Sequence, residues 1–210
     1  MKSLFIINFD IGKGSKKIIN CYIVMQNNYK MYKLFFLLIL TICCSKDSTQ
    51  TNSSISLSQE DISNALEVHN KARADVGVEK LEWSNSLSVD AQKWADNLAE
   101  KDKMFHSSNE SRLNQGENLY YSFSSQNGEA KFSNSPAKDA STAWYNEIND
   151  YKYSAIGSNV NESVMIGHYT QMVWKSTTKV GIALARSSSG KEYIVARYSP
   201  PGNYFGEYPY

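Results

Sequence analysis

Two apolar runs in the last third of the chain constrain its fold most. Val180-Gly181-Ile182-Ala183-Leu184-Ala185 and Tyr193-Ile194-Val195-Ala196-Arg197-Tyr198 read as strands, and the Ser-Ser-Ser-Gly-Lys between them supplies a hairpin turn. Upstream, the spacing of apolar residues is helical. Ser58-Gln59-Glu60-Asp61 marks a helix start, a Ser cap with an acid three residues on. Ile62, Ala65, Leu66, His69 and Ala72 continue that helix to a stop at Gly77. A second helix is expected from about Ser86, with Leu87, Ala91, Trp94, Ala95 and Leu98 on one face. A third places Ala140, Ala143, Trp144, Glu147 and Tyr151 on one face. Residues 106–138 are polar and irregular but carry Tyr120, Tyr121, Phe123 and Phe132, with one strand expected near residues 117–123. Helices early and strands late specify a mixed, layered α+β domain without internal repeats.

The chain's 210 residues have room for one ordinary domain and a leader. Residues 34–42 form a run of nine, apolar apart from Thr41, too short to span a bilayer as a helix. With Lys33 before it, the run reads as a secretory signal. Met31 makes a normal start for it, so the signal is assigned to residues 31–43 and residues 1–30 are read as a mis-called upstream extension. An apolar run ending at Cys43-Cys44 and followed by a Ser/Thr/Asn-rich tether, residues 44–58, resembles a bacterial lipoprotein signal. Cys44 is then the acylated residue. The expected location is outside the cytoplasm, either anchored at the cell envelope through that lipid or secreted.

Charge and cysteine usage narrow the function classes. Residues 1–33 hold six Lys against one acid, whereas the rest of the chain is mildly acidic, which gives no electrostatic footprint for nucleic acid. Contact with a membrane is expected only through the lipid anchor. Cys21, Cys43 and Cys44 all precede the domain, so it has no thiol for a disulfide or a thiolate metal site and must rely on its core.

Four segments in order carry a family resemblance. They are His69-Asn70-Lys71-Ala72-Arg73, then Gly116-Glu117-Asn118-Leu119, then Gly167-His168-Tyr169-Thr170-Gln171-Met172-Val173-Trp174-Lys175-Ser176-Thr177, and finally residues 193–204 with Ser199-Pro200-Pro201-Gly202-Asn203-Tyr204. The eleven-residue third segment is the specific one. Together they resemble the CAP superfamily of cysteine-rich secretory proteins, venom antigens and plant pathogenesis-related proteins, over about residues 62–208. The resemblance implies a three-layer α/β/α sandwich with a mainly antiparallel central sheet, here over residues 59–210. Ala196 departs from it, standing where many secreted relatives carry a disulfide-forming Cys.

The resemblance also implies a cleft shared by two His and two Glu. Carried over by motif, these are His106, Glu117, Glu147 on the third helix, and His168. Two imidazoles can bind Zn²⁺ or a similar ion, with carboxylate or water completing the shell. A carboxylate beside each His can instead fix its tautomer. His69 faces the apolar side of its helix and reads as structural, Asn70 and Arg73 as residues that cap and bridge elements, and Trp94, Trp144 and Trp174 as core. The favoured reading is a non-enzymatic binding domain whose His/Glu cleft holds a divalent metal or a small ligand, its partner a small ligand, a lipid or a protein. Two alternatives stand beside it. One is a metal-dependent, peptidase-like hydrolase with Glu117 or Glu147 as general base, with Ser107 a weak candidate nucleophile. The other is lipid or sterol binding by the aromatics of residues 120–138. No Gly-x-Ser-x-Gly or His-Glu-x-x-His motif supports the hydrolase.

Overall fold

The two late runs pair as antiparallel strands β5 (Lys179–Arg186) and β6 (Glu192–Ser199), with Val180 opposite Tyr198 and Ile182 opposite Ala196. The computed structural model describes residues 56–210. The signal, Cys44 and most of the tether therefore lie outside the described residues. The sheet is completed by β1 (Glu82–Trp83) and β2 (Gly116–Ser122) in the order β1-β5-β6-β2. Only the β1–β5 neighbours are parallel; β5–β6 and β6–β2 are antiparallel.

Side chains alternate across a strand, so β5 and β6 must bury both faces. One face carries Val180, Ile182, Leu184, Ile194, Ala196 and Tyr198. They pack against α1 (Gln59–Asp75), α3 (Pro136–Asn146) and the short α4 (Gly167–Met172) through Ala65, Ala72, Ala140, Trp144, Tyr169 and Met172. The other face carries Ala183, Ala185, Tyr193 and Val195, covered by Ala91, Ala95, Leu98 and Ala99 of α2 (Asn85–Lys101). The result is the expected α/β/α sandwich. Alanines meeting alanines let α2 lie close to the sheet. At Gly181 the approach is so tight that a Cβ would collide with the Ser84 carbonyl and the Ser88 nitrogen.

Buried polar side chains tie the layers together. The Ser58 hydroxyl accepts from the Asp61 N–H and starts α1. Asp61 itself is buried and caps a different helix, accepting from Ala137 N and Lys138 N at 2.9 Å each. Those are orphan donors at the start of α3, where Ser135 makes no side-chain cap. Asn70 donates to the Leu81 carbonyl and accepts from the Leu81 N–H. Arg73, fully buried, donates to the carbonyls of Glu79, Met172, Trp174 and Thr177. Burial lowers its pKa to about 10, which still leaves it charged at neutral pH. Both residues bridge elements, as expected.

Three expectations need correction. The polar stretch is not wholly irregular: β3 (Ser124–Gln126) and β4 (Glu129–Lys131) form a separate antiparallel hairpin. Its turn residues Asn127 and Gly128 have φ of 55° and 81°, the left-handed pair that a two-residue hairpin turn requires. The third helix stops at Asn146, and Glu147 opens a 3₁₀ turn, Glu147–Asn149, because the backbone tightens at the helix end. Trp144 and Trp174 are core, but Trp94 is only half-buried, packed edge-on against Phe105 with its indole N–H on the Phe105 carbonyl.

Candidate functional site

The candidate residues come together in two pairs flanking the start of β2. This strand ends the sheet and is hydrogen-bonded to β6 alone. Glu117 stands opposite Arg197 and shares the α2 side of the sheet with Leu119 and Val195. Asn118 stands opposite Ala196 and so shares the α1/α3 side.

In the first pair, His106 Nδ1–H donates to Glu117 Oε1 at 2.7 Å. The same oxygen accepts from Ser107 N at 3.0 Å, while Oε2 accepts from the Ser107 hydroxyl at 2.7 Å and from Arg197 Nη2 at 3.0 Å. The Glu117 side chain is fully buried and that of Arg197 is 3% exposed, whereas His106 is 58% exposed. Burial pushes the Glu117 carboxyl up, but the hydrogen bonds from His106 and Ser107 and the Arg197 charge outweigh it. The net direction is down, and Glu117 is held as a carboxylate. Ser107 is 4% exposed, with its hydroxyl donating to Glu117 and accepting from Arg197 Nη2 at 3.1 Å. It is a brace for the carboxylate, out of a substrate's reach.

In the second pair, His168 Nδ1–H donates to Glu147 Oε1 at 2.5 Å. Glu147 Oε2 accepts from the main-chain N–H groups of His168 and Tyr169 at 2.9 and 3.0 Å, orphan donors in the first turn of α4. The 3₁₀ turn after α3 is what aims the carboxylate at that turn. Trp144 lies under the imidazole, ring centroids 6.1 Å apart and 25° from parallel. His168 is 21% exposed.

Asn118 joins the strand to the second pair, donating to the His168 carbonyl at 3.0 Å and to the Tyr198 hydroxyl at 3.1 Å. That hydroxyl in turn donates to His69 Nε2 at 2.8 Å, and His69 Nδ1–H donates to the Ala65 carbonyl. Both ring nitrogens of His69 are thus committed, and burial lowers its pKa to about 4. His69 is a neutral core residue.

Among the described residues no protein group binds the Nε2 of His106 or of His168. A carboxylate on Nδ1–H leaves the lone pair on Nε2, the nitrogen available to a metal ion or a hydrogen-bond donor. No hydrogen bond or ion pair links one pair to the other among the described residues. Nor does any group of three or more His, Cys, Asp or Glu there stand ready to hold an ion by itself. Arg197 was not anticipated as part of the site, and Ser107, expected only as a candidate nucleophile, instead braces Glu117. The available signal was a lone Arg in an otherwise apolar strand run.

Comparison with known proteins places the chain's fold. The profile of the cysteine-rich secretory protein family, CAP, matches residues 66–198. Pathogenesis-related protein 1A of Nicotiana tabacum is 33% identical over 177 residues, 84% of this chain and 89% of that protein. Golgi-associated plant pathogenesis-related protein 1 of Homo sapiens is 35% identical over 142 residues, 68% of this chain and 84% of that protein. The crystal structure of NaASP2 with Zn²⁺ superposes with a TM-score of 0.61 at 26% identity, covering 73% of this chain and 86% of that one.

Proposed function

Because the chain belongs to the cysteine-rich secretory protein (CAP) family, we propose that it is an exported, non-enzymatic binding domain whose His106–Glu117 and His168–Glu147 pairs hold a divalent metal ion or a small ligand. One observation carries the reading. In each pair the carboxylate's oxygens are committed to His Nδ1–H and to fixed donors, and the imidazole Nε2 is left as the free acceptor. That is the arrangement of a histidine prepared as a ligand. The donor chemistry suits Zn²⁺, which would take the Nε2 atoms of His106 and His168 and fill its remaining positions with water. A bound Zn²⁺ would supply a Lewis-acid centre for an anionic or carbonyl ligand. NaASP2, a structural neighbour, has been crystallised with Zn²⁺.

The hydrolase reading is less well supported by the same contacts. A general base needs a free carboxylate oxygen within reach of a substrate proton. Glu117 is buried and paired to Arg197, and Glu147 Oε2 already accepts two main-chain N–H groups. A screen of the full-length protein against broad peptide and ester libraries, with and without Zn²⁺, should detect no turnover. Turnover lost in Glu147→Gln with the fold intact would replace the binding reading with the hydrolase. Export is tested separately: the membrane fraction should contain protein acylated at Cys44, and Cys44→Ser should release it. A mature N-terminus elsewhere without lipid would leave secretion and remove the anchor.

A further inference from the structure

At the far end of β2 from Glu117, a groove of about 300 Å³ opens between the strand end, the β3–β4 hairpin and the first turn of α3. Its lining includes Tyr120, Phe132, Ser122, Ser133, Lys131 and Asp139. Three of these are pinned by one buried carboxylate. Glu192, 1% exposed, accepts from Arg186 Nε and Nη2 at 3.1 and 2.9 Å on one oxygen. On the other it accepts from Ser133 N at 3.2 Å and the Ser122 hydroxyl at 3.4 Å. The Arg186 guanidinium in turn lies 3.8 Å from the centroid of the Phe132 ring, covering one face. Ser133 also donates to Asp139. Buried ion pairs add little net stability, so a pair that fixes three walls of one groove points to positioning.

The lining selects a class of ligand. Lys131 and Asp139 cancel in charge, which disfavours both anions and cations. Ser122 and Ser133, whose protons go to Glu192 and Asp139, offer hydroxyl oxygens as acceptors, and Ser124 offers a donor and an acceptor, around one aromatic face, a lining too polar for an alkyl chain. A molecule that matches has one flat C–H face for Phe132 and a rim of hydroxyls for the serines, Lys131 and Asp139. We infer that this groove is a binding site for a neutral hexose unit of a glycan.

The test is saturation-transfer NMR and titration of the full-length protein with glucose, galactose, mannose, N-acetylglucosamine and their β-1,4 dimers. Glucose 6-phosphate and phosphatidylcholine vesicles serve as comparisons. At least one neutral saccharide should bind below about 10 mM, and Phe132→Ala should weaken it by about tenfold or more. Asp139→Ala should weaken it as well, and both exposed substitutions should leave the melting temperature in place. No neutral saccharide binding in that range would overturn the inference. So would equal binding by both variants, tighter binding of the phosphosugar, or tighter vesicle binding that Phe132→Ala weakens, since attachment through Cys44 does not depend on Phe132.

Discussion

At the His106 pair the carboxylate is held by side chains, and at the His168 pair by the main chain. Glu117 rests on Ser107 and Arg197, brought from a loop and from a neighbouring strand. Glu147 rests on two N–H groups in the first turn of α4. Both arrangements orient an imidazole by its Nδ1, but they differ in what is lost when they break. The side-chain version buries a cation with its partner, and a buried charge without its partner is costly. The main-chain version leaves only neutral donors behind, which cost less than a stranded charge.

The largest expected effect follows directly. Glu117→Ala strands the Arg197 guanidinium in the sheet and should destabilise the domain by about 3–5 kcal/mol in denaturant unfolding. If the loss were below about 1 kcal/mol, the two pairs would not differ in the way described.

His69 sharpens the comparison, since it is the third imidazole and its Nε2 is already taken. Its folded pKa, about 4, lies below the unfolded value of 6.5, so the unfolded chain binds the extra proton first. The stability this neutral imidazole contributes is complete above pH 6.5 and is lost as pH falls from there toward 4. The loss amounts to about 3 kcal/mol. Glu117 adds a later loss of the same sign: its pKa is depressed, so its contribution goes only as pH falls through that lowered value. Unfolding measured from pH 7 to 4 should show the first limb, and His69→Gln should flatten it.

Smaller effects come from the second pair and from the exposed ring. Glu147→Ala should cost about 1–3 kcal/mol, because it leaves two main-chain donors and one imidazole N–H unpaired. His106→Ala should change stability by less than about 0.5 kcal/mol, since the ring is more than half exposed and Glu117 keeps its other partners. A His106→Ala loss as large as that of Glu117→Ala would mean that the ring supports the fold instead of serving a ligand.

Much of this was legible in the chain. The runs at residues 180–185 and 193–198 specified the central hairpin, and Ser58 and Gly77 sit where a helix cap and stop belong. Asn127-Gly128 was a readable hairpin signal that went unused, because the surrounding serines and charges show no alternation of apolar residues. The four site residues were reached by motif, since no local period links His106 to Glu117 or Glu147 to His168. Arg197 was hidden for a physical reason: its partner depends on β2 and β6 pairing in the register that sets it opposite Glu117. Asp61 capping α3 from α1 was illegible for the same reason, being a contact between residues 76 apart.

We propose that both oriented imidazoles serve one ligand through Nε2. Calorimetric titration of the full-length protein with Zn²⁺, at neutral pH and on acidification, tests it most directly. Wild type should bind, more weakly in acid because the ligand nitrogens must be unprotonated. His106→Ala and His168→Ala should each lower affinity sharply, Glu117→Gln or Glu147→Gln by about 10–100-fold, and His69→Ala not at all wherever the fold survives. Equal Zn²⁺ affinity in wild type and both histidine variants would contradict it.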